Sequence, residues 1–441
     1  MTRKVTKRMS PDPMVDKNRL GVENAQPNSY NLIAQIRNIT YSFESAISDL
    51  IDNCIDAGAS QIWIAITPHG LQIADNGKGM SDLEHADSMV LAMDKKLRSP
   101  DDLGKFGLGM KLASLSQADS MTVLTKQLDS MRVSARRIDM DFVEKAGGSW
   151  DIVEIVDPES CSLARPLGHS GTVVILENLS RFIKRATGKD GGTLPPTIIE
   201  KYADDLDAYI SRTFHRFLEG KVSGREPVSI YINGLRVRPW DPFILSEDTW
   251  VLEPKRYLID SHSVTVQPFV LPTESEFTNR EAFQLAGGQK RWLDSQGFYV
   301  YRNNRLISAG GWLRVRGIDE KLKGARIALE VPPALDQDFN IDISKGHVEL
   351  PLSLRNVMKK DIEGVTARAN ARYRHGDERS VKVSRLQKEI RDKKLTELEA
   401  FEFTLWITQA ASELGLDAQW SSIKAKLAED HPEAAKLAGW L

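Results

Sequence analysis

Apolar residues Phe43, Ile47, Leu50, Ile51 and Cys54 recur at helical spacing, and they predict an amphipathic helix ending near Gly58. Asp49, Asn53 and Asp56 fall at i, i+4 and i+7, along one polar stripe of that helix. Taken alone, such a stripe is equally well a solvated helix face. Residues 62–66 then alternate as a strand, Pro68-His69-Gly70 turns the chain, and residues 71–74 return. This hairpin leads into Asp75-Asn76-Gly77-Lys78-Gly79-Met80. Strand-like runs follow at residues 121–126, 131–136, 152–156 and 172–176. Helices and strands mix without the regular beat of a doubly wound sheet, which predicts a two-layer α/β sandwich.

Residues 181–194, with Gly188, Gly191 and Gly192, read as a linker. Pro195-Pro196 opens a helix expected to run to about Gly220. Residues 228–237 alternate on both sides of Asn233-Gly234, a strong hairpin signal. A strand at 264–270 and a strand-rich segment at 298–307 continue a second α/β unit. From 352 to 394 the pattern is helical and basic, and residues 395–441 are amphipathic and helical. The organisation expected is a flexible arm at 1–27, one domain at 28–180, a second at 195–351 and a helical region at 352–441.

Composition narrows the chemistry. A chain of 441 residues exceeds one typical core. Its net charge of −2 neither demands nor excludes nucleic acid, so any basic surface is local. The strongest such feature is the 352–394 run, a candidate face for DNA or a protein partner. Arg212, His215, Arg216, Arg302 and Arg305 are a second, scattered candidate. Two cysteines without CxxC spacing argue against a disulfide framework and, with eight scattered histidines, against a zinc site. No apolar run reaches the roughly eighteen residues that span a bilayer, and no signal-peptide hydrophobic region is present. A soluble, cytoplasmic protein is expected. Neither GxxxxGK[ST] nor a strand-linked GxGxxG occurs, which disfavours P-loop and Rossmann sites.

A carboxylate one turn from an amide suits metal–nucleotide chemistry. The Asn53 amide oxygen can ligate Mg²⁺, and Asp49 can orient and deprotonate a water. Asp49-x-x-x-Asn53, the Asp75-x-Gly77-x-Gly79-Met80 loop and Gly104-Lys105-Phe106-Gly107-Leu108-Gly109-Met110-Lys111 together resemble the three nucleotide motifs of the GHKL (Bergerat-fold) ATPases. The resemblance is closest to the MORC and MutL branch, of the prokaryotic MORC-like type. It implies a two-layer Bergerat sandwich followed by a transducer-type α/β domain, with ATP and Mg²⁺ as cofactors. Asp75 would accept from the adenine amine, Gly77 and Gly79 would let the backbone approach the base, and Met80 and Ala57 would line the pocket. Residues 104–111 would cradle phosphates at a helix N-terminus, with Lys105 or Lys111 adding charge. Residues 81–103 would be the lid, and Thr172 in Ser170-Gly171-Thr172-Val173 would support Asp75. Lys345 in Asp338–Gly346 would reach the γ-phosphate, stabilising its charge and sensing its loss. Most relatives carry Glu where this chain has the shorter Asp49, which points to slow hydrolysis.

The function implied is an ATP-gated clamp, a homodimer when ATP is bound, acting on DNA and belonging to a bacterial restriction or defence system. A chaperone-like ATPase clamping a protein client and a non-hydrolysing nucleotide switch stand as alternatives. A histidine kinase is disfavoured, because a phosphoacceptor helix would precede the ATPase domain and only arm-like residues are there.

Overall fold

The computed structural model describes residues 41–90, 103, 109–146, 150–158, 167–189, 192–245, 247–288, 292–341, 348–392, 397–430, 432–437 and 440. The expected N-terminal arm and the segment 104–108 lie outside them, as does Lys345.

The first helix, α1 (Phe43–Asp56), starts at an N-cap where Ser42 Oγ accepts from the Ser45 N–H at 3.1 Å. It ends as Gly58 takes φ +78, a left-handed value that a side chain would resist. Of the expected polar stripe, Asp49 is buried and Asn53 and Asp56 are half-buried; Ser48 and Asp52 are buried too, along with Ile47, Leu50, Ile51 and Ile55. Each of those four apolar side chains contributes about 1.5–3 kcal/mol on burial. A helix covered over most of its circumference in this way lies inside the protein.

Strands β1 (Gln61–Ile66), β2 (Gly70–Asp75), β3 (Ser120–Lys126), β4 (Ser134–Asp139), β5 (Val153–Glu154) and β6 (Gly171–Glu177) form one sheet, with helices α2 (Asp82–Met89), α3 (Gly109–Gln117) and α4 (Met140–Lys145) between them. The segment expected as a linker begins with a helix, α5 (Ser180–Thr187), which Gly188 stops at φ +72. Phe182 and Ile183 anchor it in the first core, and glycines that read as a linker sit at and beyond its end. Helices α6 (Pro196–Thr213) and α7 (His215–Leu218) follow.

The Asn-Gly hairpin, β7 (Ser229–Ile232) and β8 (Leu235–Arg236), was expected in the second unit. It instead completes the first sheet, in the order β5-β4-β3-β6-β2-β1-β7-β8. β7 runs parallel to β1, from Gln61↔Ser229 to Ile64↔Ile232, and all other pairings of this sheet are antiparallel. Ile62, Ile64, Ile230 and Ile232 point into one core with α1 and α6, while Gln61 and Trp63 face outward.

A second sheet holds β9 (Trp250–Val251), β10 (Lys255–Ile259), β11 (His262–Val270), β12 (Gly297–Arg302), β13 (Arg305–Ala309) and β14 (Ala325–Glu330), with the short helix α8 (Arg280–Gly287) beside it. Its path is β10-β11-β14-β12-β13, with β9 against β11. The β12–β13 turn is Asn303-Asn304, both at positive φ (47 and 66), so the right-handed strand twist carries through a two-residue loop. The long helix α9 (Leu352–Asp392) lays Leu354, Met358, Ile362, Val365 and Ala369 onto this sheet at three- and four-residue spacing. Helices α10 (Glu397–Glu413), α11 (Asp417–Asp430) and α12 (Pro432–Leu437) form a helical C-terminal region. The fold is mixed α/β with a helical end, as the sequence predicts. Among the described residues no helix is long and apolar enough to cross a membrane.

Candidate active site

Asp75 ends β2 with its side chain almost wholly enclosed. Its Oδ1 accepts from the Gly77 N–H at 2.8 Å, and the Thr172 N–H and the Cys54 thiol also donate to the carboxylate. Burial outweighs those donors and pushes the carboxyl pKa from 3.8 up to about 6. Burial, followed by the neighbouring Asp75 charge, raises the Cys54 thiol well above its ordinary range, so it serves as a neutral donor. An enclosed carboxylate that keeps its charge at neutral pH is a strong acceptor for an amino group.

The loop after Asp75 is strapped down by backbone. Lys78 N–H donates to Ala57 O at 3.0 Å, Leu128 N–H to Lys78 O at 2.9 Å, and Ser170 Oγ to Gly77 O at 2.8 Å. Thr125 Oγ1 on β3 accepts from Met80 N–H at 2.9 Å and lies 3.1 Å from Gly171 O and 3.2 Å from Thr172 Oγ1. A Cβ on Gly77 would stand 2.9 Å from Ala57 Cβ and Asp75 Oδ1; one on Gly79, at φ +66, would stand 1.9 Å from Lys126 O. The chain's own backbone therefore requires glycine at both positions, independently of any ligand. Thr172 pairs with Asp75 in the β2–β6 register, and its hydroxyl faces Thr125. Met80 is half-buried against the first core, as is Met110.

One helix away, Asp49 is also buried. Its Oδ2 accepts from Tyr41 OH at 3.3 Å, and its Oδ1 from Arg305 Nη1 at 3.4 Å. A Cβ on Gly109 would lie 3.7 Å from Asp49 Oδ2, so the end of the glycine-rich segment approaches this carboxylate. Asn53, one turn on, is half-buried, and its Nδ2 has no hydrogen-bond partner among the described residues. Nδ2 is a donor and cannot ligate a cation; the side-chain atom that could hold Mg²⁺, beside phosphate and water oxygens, is Oδ1. Among the described residues no cluster of three His, Cys, Asp or Glu side chains forms a protein cage. Asp56, the third member of the stripe, accepts instead from the Leu103 N–H at 3.0 Å. Lys111 is buried, and its ammonium donates to Ser88 O at 2.6 Å, tying α3 to α2. His85 on α2 is buried as well; desolvation, then the Arg136 charge, lowers its pKa to about 4, so it is neutral at pH 7.

The motif helix, the aspartate hairpin and the helix after the glycine-rich segment thus meet on one side of the first sheet. Residues 41–168 match a family model described as histidine kinase-, DNA gyrase B-, and HSP90-like ATPase. The chain carries a GHKL ATPase domain. This domain is similar to DNA mismatch repair proteins MutL. One, from Streptococcus thermophilus, is 33% identical over 88 residues, covering 18% of this chain and 14% of the relative. A MutL of Streptococcus agalactiae is 35% identical over 85 residues, covering 18% and 13%. A MutL of Pelobacter propionicus is 32% identical over 142 residues, covering 31% and 21%. The likeness is therefore confined to a minor part of each relative.

Tyr41, Asp52 and Thr125, which stand around Asp49 and the loop after Asp75, escaped the sequence reading, and Arg305 entered it only as one of the scattered basic candidates. Asp52 had a signal, since it lies three residues from Asp49 on neighbouring helix positions. Nothing in the local sequence ties Arg305 to α1, to which it is held by tertiary structure. The scattered basic candidates are not a surface patch. His215, Arg302 and Arg305 are buried; His215 Nε2 meets Tyr301 OH at 2.9 Å, and Arg302 donates to Asp336 at 3.0 Å and to Leu103 O at 3.2 Å. Arg216 pairs with Glu330 at 2.6 Å over the Tyr301 ring. Burial and pairing spend these charges on joining the two sheets.

Proposed function

We propose that the chain is an Mg²⁺-dependent ATPase of the MORC-like branch that closes as an ATP-gated homodimeric clamp on DNA, in a bacterial restriction or defence setting. The observation that carries the nucleotide reading is the buried, charged Asp75 at the mouth of its strapped glycine loop, with Asn53 and Asp49 on the adjoining helix. Asp75 accepts the adenine amine, a contact guanine cannot offer because it carries a carbonyl there. Bound Mg²⁺ neutralises phosphate charge and orients the phosphate chain. Asn53 supplies the protein ligand to it, and Asp49 orients the attacking water. Residues 104–111 cradle the phosphates, and Lys345 from the transducer unit contacts the terminal one. Residues 81–103 act as the lid, whose first part is α2.

The DNA reading draws on the long helix, where Lys359, Lys360, Arg368 and Arg374 are exposed while the opposite face is packed. Light scattering with Mg²⁺ and a non-hydrolysable ATP analogue, with and without DNA, tests the clamp. A nucleotide-induced dimer that retains DNA in a salt-dependent manner is expected. A chain that stays monomeric throughout rejects the clamp, and calorimetry showing no Mg²⁺–ATP uptake rejects the nucleotide reading itself.

A further inference from the structure

Arg305 crosses from the second sheet to the helix that carries Asp49. Its side chain is 2% exposed. Nη1 donates to Asp52 Oδ2 at 2.6 Å and to Asp49 Oδ1 at 3.4 Å, Nη2 donates to Ser48 Oγ, and the guanidinium lies 5.6 Å from the Phe214 ring centroid. One fork from β13 thus holds three positions of α1. Asp49 and Asp52 are i, i+3 neighbours on α1, both buried, and the fork spans them, with the shorter bond going to Asp52. Tyr41 holds the other oxygen of Asp49, so that carboxylate is braced from two sides. Other titratable or charged groups near this cluster include Tyr209 and Arg212 on α6 and Cys54 on α1.

We propose that Arg305 is a positioning residue: its fork over Ser48, Asp49 and Asp52 holds the Asp49 carboxylate in its aim, and it makes that aim depend on docking of the second sheet against α1. This rests on the reading of Asp49 as the water-orienting base. A displacement of the second unit would withdraw the guanidinium and loosen the hold on Asp49, so hydrolysis would respond to the position of the whole unit. The lysine loop expected to sense the terminal phosphate is a separate segment of the chain. Arg305 acts on the base helix directly.

The test is single-turnover hydrolysis, with Mg²⁺–ATP affinity measured alongside, for wild type, Arg305→Met and Arg305→Lys. Arg305→Met should lower the hydrolysis rate about tenfold or more. Its Mg²⁺–ATP affinity should change by less than about threefold, since Asp75 and its loop are untouched, a split that a merely structural role does not give. Arg305→Lys keeps a donor without the fork and should recover part of the lost rate. Wild type that hydrolyses beside an Arg305→Met rate within about twofold of it, or a rate loss matched by an equal loss of affinity, overturns the role of Arg305 alone. Wild type that binds nucleotide and does not hydrolyse it overturns the base reading, and this proposal with it. If Arg305→Met fails to fold, Arg305→Lys with no loss of rate overturns the proposal.

Discussion

Asp75→Asn separates the cost of enclosing this carboxylate from its proposed use as the adenine acceptor. The carboxyl pKa moves from 3.8 to about 6 on folding, roughly two units, which at 1.36 kcal/mol per unit is about 3 kcal/mol. The sign follows from proton counting. Between pH 4 and 6 the folded chain holds the Asp75 proton and the unfolded chain has released it, so stability falls as pH rises through that window. Above about pH 6 the full cost of enclosing the charge is present. The amide variant has no such dependence. Its stability relative to wild type should therefore rise by about 3 kcal/mol between pH 4 and pH 7. The absolute offset is smaller, because an amide cannot accept equally from Gly77, Thr172 and Cys54, and each lost bond costs about 1 kcal/mol. Urea unfolding of both proteins without nucleotide, in steps across that range, measures the difference. In the same variant ATP affinity should fall on the order of 100-fold, since one acceptor becomes a donor facing the adenine amine. Wild-type affinity should weaken below about pH 6. A stability difference that stays flat with pH refutes the claim that this carboxylate is desolvated in the free protein.

Two further substitutions probe the frame around the site. Gly79→Ala places a Cβ 1.9 Å from Lys126 O at φ +66, so backbone must move; a loss of at least about 3 kcal/mol is expected, and an unchanged thermal midpoint counts against the strapped loop. Arg372→Ala on α9 removes a buried guanidinium that donates to Glu276 and Val270 O, pairs with the more exposed Asp248 and sits over the Trp250 ring. About 3–5 kcal/mol should be lost in urea unfolding, and a cost near zero would show that α9 is not fastened to the second sheet there.

The elements legible in the sequence were those with their own local pattern. β1, β2, β3 and β6 alternate or run apolar between turn residues, and the Asn-Gly turn marks its hairpin without help from the rest of the chain, while the Asn303-Asn304 turn inside the strand-rich 298–307 segment went unmarked. The motif helix and the Asp75 loop were legible because their residue types follow a short fixed pattern, while residues 104–108 of the glycine-rich segment lie outside the described residues. Helix α5 was missed because Gly188 and the glycines after it dominate a short window, while the burial of Phe182 and Ile183 is decided by partners elsewhere. β5 was expected to be longer and pairs only at Val153 and Glu154. The partners of Asp49 were illegible for the same reason as α5. Tyr41 lies eight residues before it, ahead of the helix, and Arg305 lies 256 residues after it, and no spacing rule connects them. The basic 352–394 run read as a single charged face, yet Arg372 is buried and its apolar stripe carries the second core.

The late arrival of β7 beside β1 has a practical consequence. Ile66 N–H bonds to Asn233 Oδ1 across 167 positions, so the first sheet is finished only after that much chain has been made. Contacts at such sequence distance raise contact order and slow folding. A fragment cut at residue 180 would expose β1 as a free edge, with unpaired backbone groups and isoleucines on one face, a template for self-association. An excised piece meant to stay monomeric should therefore run through Val237, whose N–H closes the hairpin onto Ile230 O at 2.9 Å.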